Sequence, residues 1–172
     1  EVPQMLARDY LYPNPNALVT LLGLHDVHRF MNEQGATTAG LKLAYTFLAT
    51  ARGTPLIYYG DEIALPGGND PDNRRDFPGG WREDPRNAFE ASGRTDVEQG
   101  VWSHLQTLLT LRAARPDLRR SRMVNLHVGD QTYVYRRGGT VVAINNGTTA
   151  ADVTVPASAL GADVLKTCTA PR

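Results

Sequence analysis

Three short stretches of the 172-residue chain carry side chains that could do chemistry. In the first, His25, Asp26, His28 and Arg29 follow an apolar run at positions 17–22, with Gly23 between. A carboxylate flanked by an imidazole and a guanidinium can exchange protons or grip a polar substrate. The same residues also read as a capped turn in which Asp26 pairs with Arg29, since charged residues commonly follow strands. In the second stretch, Asp61 and Glu62 stand just after PLIYYG. Adjacent residues of an extended chain point to opposite sides. These two are therefore poor partners across one bond and read as structural, hydrogen-bonding where a strand ends. The third stretch is the loop at 67–80, with two Gly-Gly pairs and Asp70, Asp72, Arg74, Arg75 and Asp76 within seven positions. Loops of this length are commonly functional. Internal Asp–Arg pairs would hold it together. Alternatively, Asn69, Asp70, Asp72 and Asn73 could offer oxygens to a calcium ion, although the spacing is not that of an EF-hand.

The elements that must position these groups alternate strand and helix. The run at 17–22 suits a strand covered on both faces, as in a parallel sheet. Catalytic groups in such folds sit at the carboxyl ends of strands, which is where His25 and Asp26 fall. Thr37 or Thr38 caps a helix through TAGLKLAYTFLATAR. Leu41, Ala44, Tyr45, Leu48 and Thr50 or Ala51 form one face of it, widened by Leu43 and Phe47. Gly53 ends that helix, and Pro55 opens a second strand over 55–59. Thr95 and Glu98 have capping-box spacing. The helix they start shows Val101, Leu105, Leu108, Leu109 and Arg112 on one side and stops at Pro116. His104 on its surface is expected to have no chemical role. From Arg122 the period becomes two. MVNLHV, QTYVYRR, TVVAINN and ADVTVP read as strands, with tight turns at Gly129-Asp130, Gly138-Gly139 and Asn146-Gly147. The class is α/β, followed by a small antiparallel β module.

Composition narrows the function. Eighteen basic and eighteen acidic residues balance, which gives no support to a nucleic-acid partner or a membrane-surface role. No apolar run reaches the length of a membrane span. The single cysteine, Cys168, excludes an internal disulfide and a cysteine-based zinc site. No Gly-x-Ser-x-Gly elbow occurs, which argues against a serine hydrolase.

LGLHDVHRF, GTPLIYYGDEI and GGNDPDNRRDFPGGW, in this order and spacing, resemble two strand ends and the final loop of the α-amylase superfamily of glycoside hydrolases. The third stretch is similar to the loop of the branch containing cyclomaltodextrinases, neopullulanases and related α-amylases. Two departures stand in the first motif: Leu24 replaces a residue that is usually Asn, and His28 occupies a position where Pro is common.

The resemblance implies the carboxyl-terminal portion of a TIM (β/α)8 barrel over residues 1–120, and a truncated antiparallel β-domain over 121–172. A closed barrel takes about 250 residues, and two strands cannot close one. Glu1 is therefore expected not to be the natural amino terminus, and the chain is expected to need an upstream barrel segment. The resemblance makes Asp26 the third carboxylate of a retaining mechanism and His25 a donor to a sugar hydroxyl. Asp70 and Arg74 would contact a neighbouring sugar. Phe77 and Trp81 could stack on a sugar face or lie beneath the loop. The nucleophile and the acid/base would belong to earlier strands. The implied substrate is an α-glucan or malto-oligosaccharide, with no cofactor required and calcium possible in the parent protein. The isolated chain is expected to be inactive. A non-catalytic scaffold or partner-binding domain and a transglycosylase share the same residues.

Overall fold

The computed structural model describes residues 2–159 and the backbone of 164–166. After a short helix α1 (Val2–Leu6), Pro15–Ala17 forms a 3-10 turn, where Asn14 Oδ1 accepts from the Asn16 N–H at 3.2 Å. This turn takes the start of the expected strand, so β1 is only Val19–Leu21. It pairs in parallel with β2 (Thr54–Leu56), Val19 opposite Thr54 and Leu21 opposite Leu56. The connection runs through helix α2 (Thr38–Thr50), whose cap is Thr37, accepting the Gly40 N–H at 3.0 Å. This is the strand–helix–strand unit expected from the sequence.

Helix α3 (Asp96–Ala114) begins with the expected capping box between Thr95 and Glu98. It packs on α2 through Leu41, Tyr45, Leu48, Ala49, Val101, Leu105 and Leu108. Leu22 at the end of β1 and Ile57 after β2 pack onto that cluster. Apolar burial of this kind stabilises by roughly 25 cal/mol per Å2 of area removed from water, so it fixes where the two strand ends lie. Leu109, expected on the packed face, is 39% exposed. The expectation that β1 is covered on both faces also fails, since Val19 and Leu21 are exposed.

A short helix α4 (Pro116–Arg120) leads to a four-stranded sheet: β3 (Met123–Val128), β4 (Thr132–Arg137), β5 (Thr140–Asn145) and β6 (Val164–Lys166). The first three strands are antiparallel, as expected. The fourth differs in place and direction. Residues 151–156 form no strand, and β6 pairs with β5 in parallel. The reason lies after β5. The Asn145 side chain accepts the Gly147 N–H and donates to the Thr149 carbonyl, both at 2.8 Å. That turn satisfies the backbone locally and leads the chain away from a hairpin. The sheet meets α2 through Tyr135, whose hydroxyl lies 2.5 Å from Thr50 Oγ1, and through its edge-on contact with Phe47. Helix α2 is therefore buried on two sides. Cys168 lies outside the described residues.

Candidate functional site

The carboxyl end of β1 runs through Gly23 into a turn in which the Val27 N–H donates to the Leu24 carbonyl at 3.3 Å. His25 and Asp26 project from that turn. Their side chains are 53% and 70% exposed, with His25 Nε2 3.3 Å from Asp26 Oδ2. Arg29 does not pair with Asp26. It is fully buried, and it donates to Asp61 Oδ1 at 2.9 Å, the Tyr59 carbonyl at 2.6 Å and the Asn73 carbonyl at 2.8 Å. Its guanidinium also lies over the rings of Tyr58 and Tyr59, 4.5 and 4.8 Å from their centroids, a favourable placement for a delocalised cation. The capped-turn reading of Asp26 with Arg29 thus gives way to a longer-range pair between the ends of β1 and β2.

Asp61 is structural, as expected, but for a different reason. The chain is no longer extended there, because Gly60 takes φ +87° and opens a 3-10 turn over Asp61–Ile63. A side chain at Gly60 would also bring a Cβ to 2.6 Å from Leu65 Cδ2. Burial pushes the Asp61 carboxyl up to about 6, against the downward pull of Arg29. Burial likewise raises Glu62.

The loop after β2 folds back onto the first turn. The Arg29 N–H donates to the Gly67 carbonyl at 3.0 Å, and His28 Nε2 lies 2.5 Å from Asn69 Oδ1. Asp70 pairs with Arg74, and Asp72 with Arg75, all exposed. Asp72 also accepts the Gly68 N–H at 2.7 Å. That hydrogen bond, with Arg75, holds its carboxyl below the usual range. Asn73 alone turns inward, 2% exposed. Of the oxygens considered for calcium, those of Asn69, Asp70 and Asp72 are engaged with His28, Arg74, Arg75 and the Gly68 N–H. Among the described residues, no three His, Cys, Asp or Glu side chains converge on a common point. Phe77 packs against Ile63, Leu65 and Ala88 and lies 4.4 Å from Phe89, whereas Trp81 is 63% exposed. His104 bridges α2 and α3, 3.1 Å from Thr46 Oγ1 and 2.9 Å from the Lys42 carbonyl. Burial lowers its pKa.

The structure therefore brings together, at the carboxyl ends of two parallel strands, an exposed His25–Asp26 pair, an exposed Asp70–Arg74 pair and a buried Arg29–Asp61–Asn73 support. The alpha amylase catalytic domain profile matches residues 6–123. The chain belongs to the alpha-amylase family. Among curated alpha-amylase relatives, neopullulanase 2 of Thermoactinomyces vulgaris is 36% identical over 144 residues, 79% of this chain and 22% of that protein. A cyclomaltodextrinase of Geobacillus thermopakistaniensis is 30% identical over 162 residues, 91% of this chain and 25% of that protein. The chain thus spans about a quarter or less of these relatives. The crystal structure of the alpha-amylase from Geobacillus thermoleovorans with acarbose superposes at a TM-score of 0.69 with 33% identity, over 86% of this chain and 32% of that one. The Nostoc punctiforme debranching enzyme superposes at 0.70 with 33% identity, over 87% of this chain and 29% of that one. These neighbours identify the first strand–helix units as part of a TIM barrel.

Sequence reasoning missed the roles of Arg29 and Asn73. Arg29 was legible only as a near neighbour of Asp26, and Asn73 only as one oxygen among several. Their partners lie 30 or more positions away, and no local pattern marks such a pairing.

Proposed function

We propose that the protein carrying this chain is a retaining glycoside hydrolase that cleaves α-glucosidic bonds in malto-oligosaccharides or related α-glucans. One observation carries the reading. The loops after β1 and β2 are stitched to each other from within, and both turn their sugar-binding chemistry outward at the strand ends. In a retaining mechanism two carboxyl groups about 5 Å apart act as nucleophile and acid/base, and the reacting sugar flattens toward an oxocarbenium ion. Asp26 would be a third carboxylate that accepts from hydroxyls of the distorted sugar, with bonds that strengthen in the transition state. His25, against Asp26, would donate to a hydroxyl of the same sugar. Asp70 and Arg74 offer an acceptor and a rigid donor fork to the next sugar. The nucleophile and acid/base are assigned to no residue of this chain, so the 172-residue chain alone should not turn over a glucan.

Cyclomaltodextrin glucanotransferases also match this chain, one from Bacillus sp. (strain 38-2) at 33% identity over 148 residues. That observation favours transglycosylation as the second reading. The experiment is to incubate the natural gene product with maltoheptaose, with and without an acceptor sugar, and to analyse the products. Free shorter oligosaccharides support hydrolysis, and acceptor-linked products support transfer. No turnover under either condition would favour a non-catalytic scaffold. In an active protein, Asp26→Asn should lower kcat by about three orders of magnitude or more with a modest change in KM. An unchanged kcat would remove Asp26 from the mechanism.

A further inference from the structure

We infer that Asn73 is the positioning residue for Asp26, holding the backbone on both sides of that carboxylate from the loop after β2. The inference rests on the hydrolase reading for its chemical meaning, and its mechanical part stands apart from that reading. Asp26 is exposed, and among the described residues the side chain it pairs with is His25 at 3.3 Å, itself exposed. Its direction is therefore set by its backbone. The Asn73 side chain reaches that backbone directly. Its Nδ2 donates to the His25 carbonyl at 2.7 Å and to the Val27 carbonyl at 3.1 Å, the residues immediately before and after Asp26. One NH2 group has two protons, and both find an acceptor. The amide cannot be turned over, since its oxygen would then face two carbonyl oxygens. Asn73 Oδ1 has no partner among the described residues, so the side chain works through its donors.

Asn73 is itself held. Its carbonyl accepts from Arg29 Nε at 2.8 Å, and it is 2% exposed. The Gly67 Cα lies so close that an added Cβ would fall 2.8 Å from the Asn73 Cα. Of the links between the loop after β2 and the first turn, the one that grips both residues flanking Asp26 is thus a single buried amide between two backbone carbonyls. A displacement of about 1 Å at a reacting group can cost about a hundredfold in rate.

The test has two arms. In the natural gene product, backbone amide order parameters are measured by NMR for the parent and for Asn73→Ala. We expect residues 25–27 to fall from the rigid range, about 0.85, toward the flexible range below about 0.6, with β1 and β2 unchanged. Unchanged order at 25–27, or loss of order throughout β1 and β2, would overturn the inference. In the natural gene product, kcat and KM are measured for Asn73→Ala and Asn73→Leu, each with and without Asp26→Asn. Asn73→Leu keeps roughly the size of the side chain and removes its donors without setting an oxygen against the two carbonyls, so it covers the case in which the cavity left by Asn73→Ala prevents folding. We expect kcat to fall about a hundredfold with KM nearly unchanged. With Asp26→Asn already present, the further loss should be less than about threefold, because residues that act as one unit are non-additive. Equal losses in both backgrounds, or an unchanged kcat, would overturn the inference. A parent protein with no glucan turnover would sink the hydrolase reading instead, and the order parameters would still decide the link.

Discussion

The parallel pair β1–β2 has two ends, and the chain buries arginine at both. At the carboxyl ends, Arg29 meets a carboxylate, Asp61, at 2.9 Å and supports loops whose other polar groups face solvent. At the amino ends, where α3, α4 and β4 converge, Arg52 meets Asp9 at 2.7 Å, and two further buried arginines donate to backbone oxygens. Arg112 reaches the carbonyls of Ala49 at 2.8 Å, Leu118 at 2.9 Å and Gly53 at 2.5 Å. Arg137 reaches those of Leu118 at 2.9 Å, Ser121 at 3.0 Å and Thr50 at 3.2 Å, and Asn16 Oδ1 at 3.1 Å. Burial pushes Arg137 down to about 10, which leaves it charged at neutral pH. The amino end turns its polar groups inward and joins helix to sheet. The carboxyl end does so with only three residues and leaves the rest exposed. This division matches the barrel rule that chemistry sits at the carboxyl face and stability at the amino face.

The sharpest way to break the comparison is at Arg29. Arg29→Met in the 172-residue chain leaves Asp61 buried without its cation, and should cost about 3–5 kcal/mol near neutral pH. Urea unfolding should show a smaller loss at pH 5 than at pH 8, because Asp61 can then take a proton. The sign in the parent chain follows from the same group. The folded carboxyl titrates near 6 and the unfolded one near 3.8. Between those values the folded state holds the extra proton, so this group's contribution to stability falls as pH rises.

Arg137→Met should cost somewhat less, about 2–3 kcal/mol, by leaving buried carbonyls without donors. Its cost should be flat between pH 5 and pH 8, since its direct partners do not titrate there. A pH-dependent loss at Arg137, or a flat one at Arg29, would erase the distinction between the two ends.

Glu98→Ala should cost about 1 kcal/mol by removing the side-chain acceptor of the capping box of α3. Glu98 also takes both guanidinium nitrogens of Arg86 at 2.7 Å. Although burial alone would raise its pKa, Arg86 and the Thr95 N–H together hold it below the usual range. Its contribution is therefore present above the ordinary Glu range and lost as pH falls through the lowered value. The smallest effect on the fold belongs to Asp70→Asn. An exposed pair contributes little, so the melting temperature should stay unchanged while KM for maltoheptaose rises about tenfold in the natural gene product. A melting shift with no change in KM would make Asp70 part of the scaffold.

Much of this was legible in the chain. Helices α2 and α3 announce themselves by apolar residues three and four positions apart and by Thr37 and the Thr95–Glu98 box, because helix formation is local. The motif residues His25, Asp26, Asp70 and Arg74 could be picked out by the resemblance of their stretches to the α-amylase family. The extent of β1, the direction of β6 and the partner of Arg29 could not. Pro15 and Asn14 shorten β1 through a local turn that competes with the strand, and Asn145 redirects the chain after β5.

The sequence by itself determined the order of elements, the family motifs and the polar groups offered at each strand end, since these depend on residue type over a few neighbouring positions. Tertiary structure alone decided which of those groups face inward. Asp61 and Asn73 are no more distinctive along the chain than Asp70 and Asp72. They differ because packing α2 on α3 fixes the ends of β1 and β2 side by side, and the first pair then falls beneath the Arg29 guanidinium while the second falls outside it. A buried cation selects its partners by distance in space, and that distance is not written in the spacing of the residues.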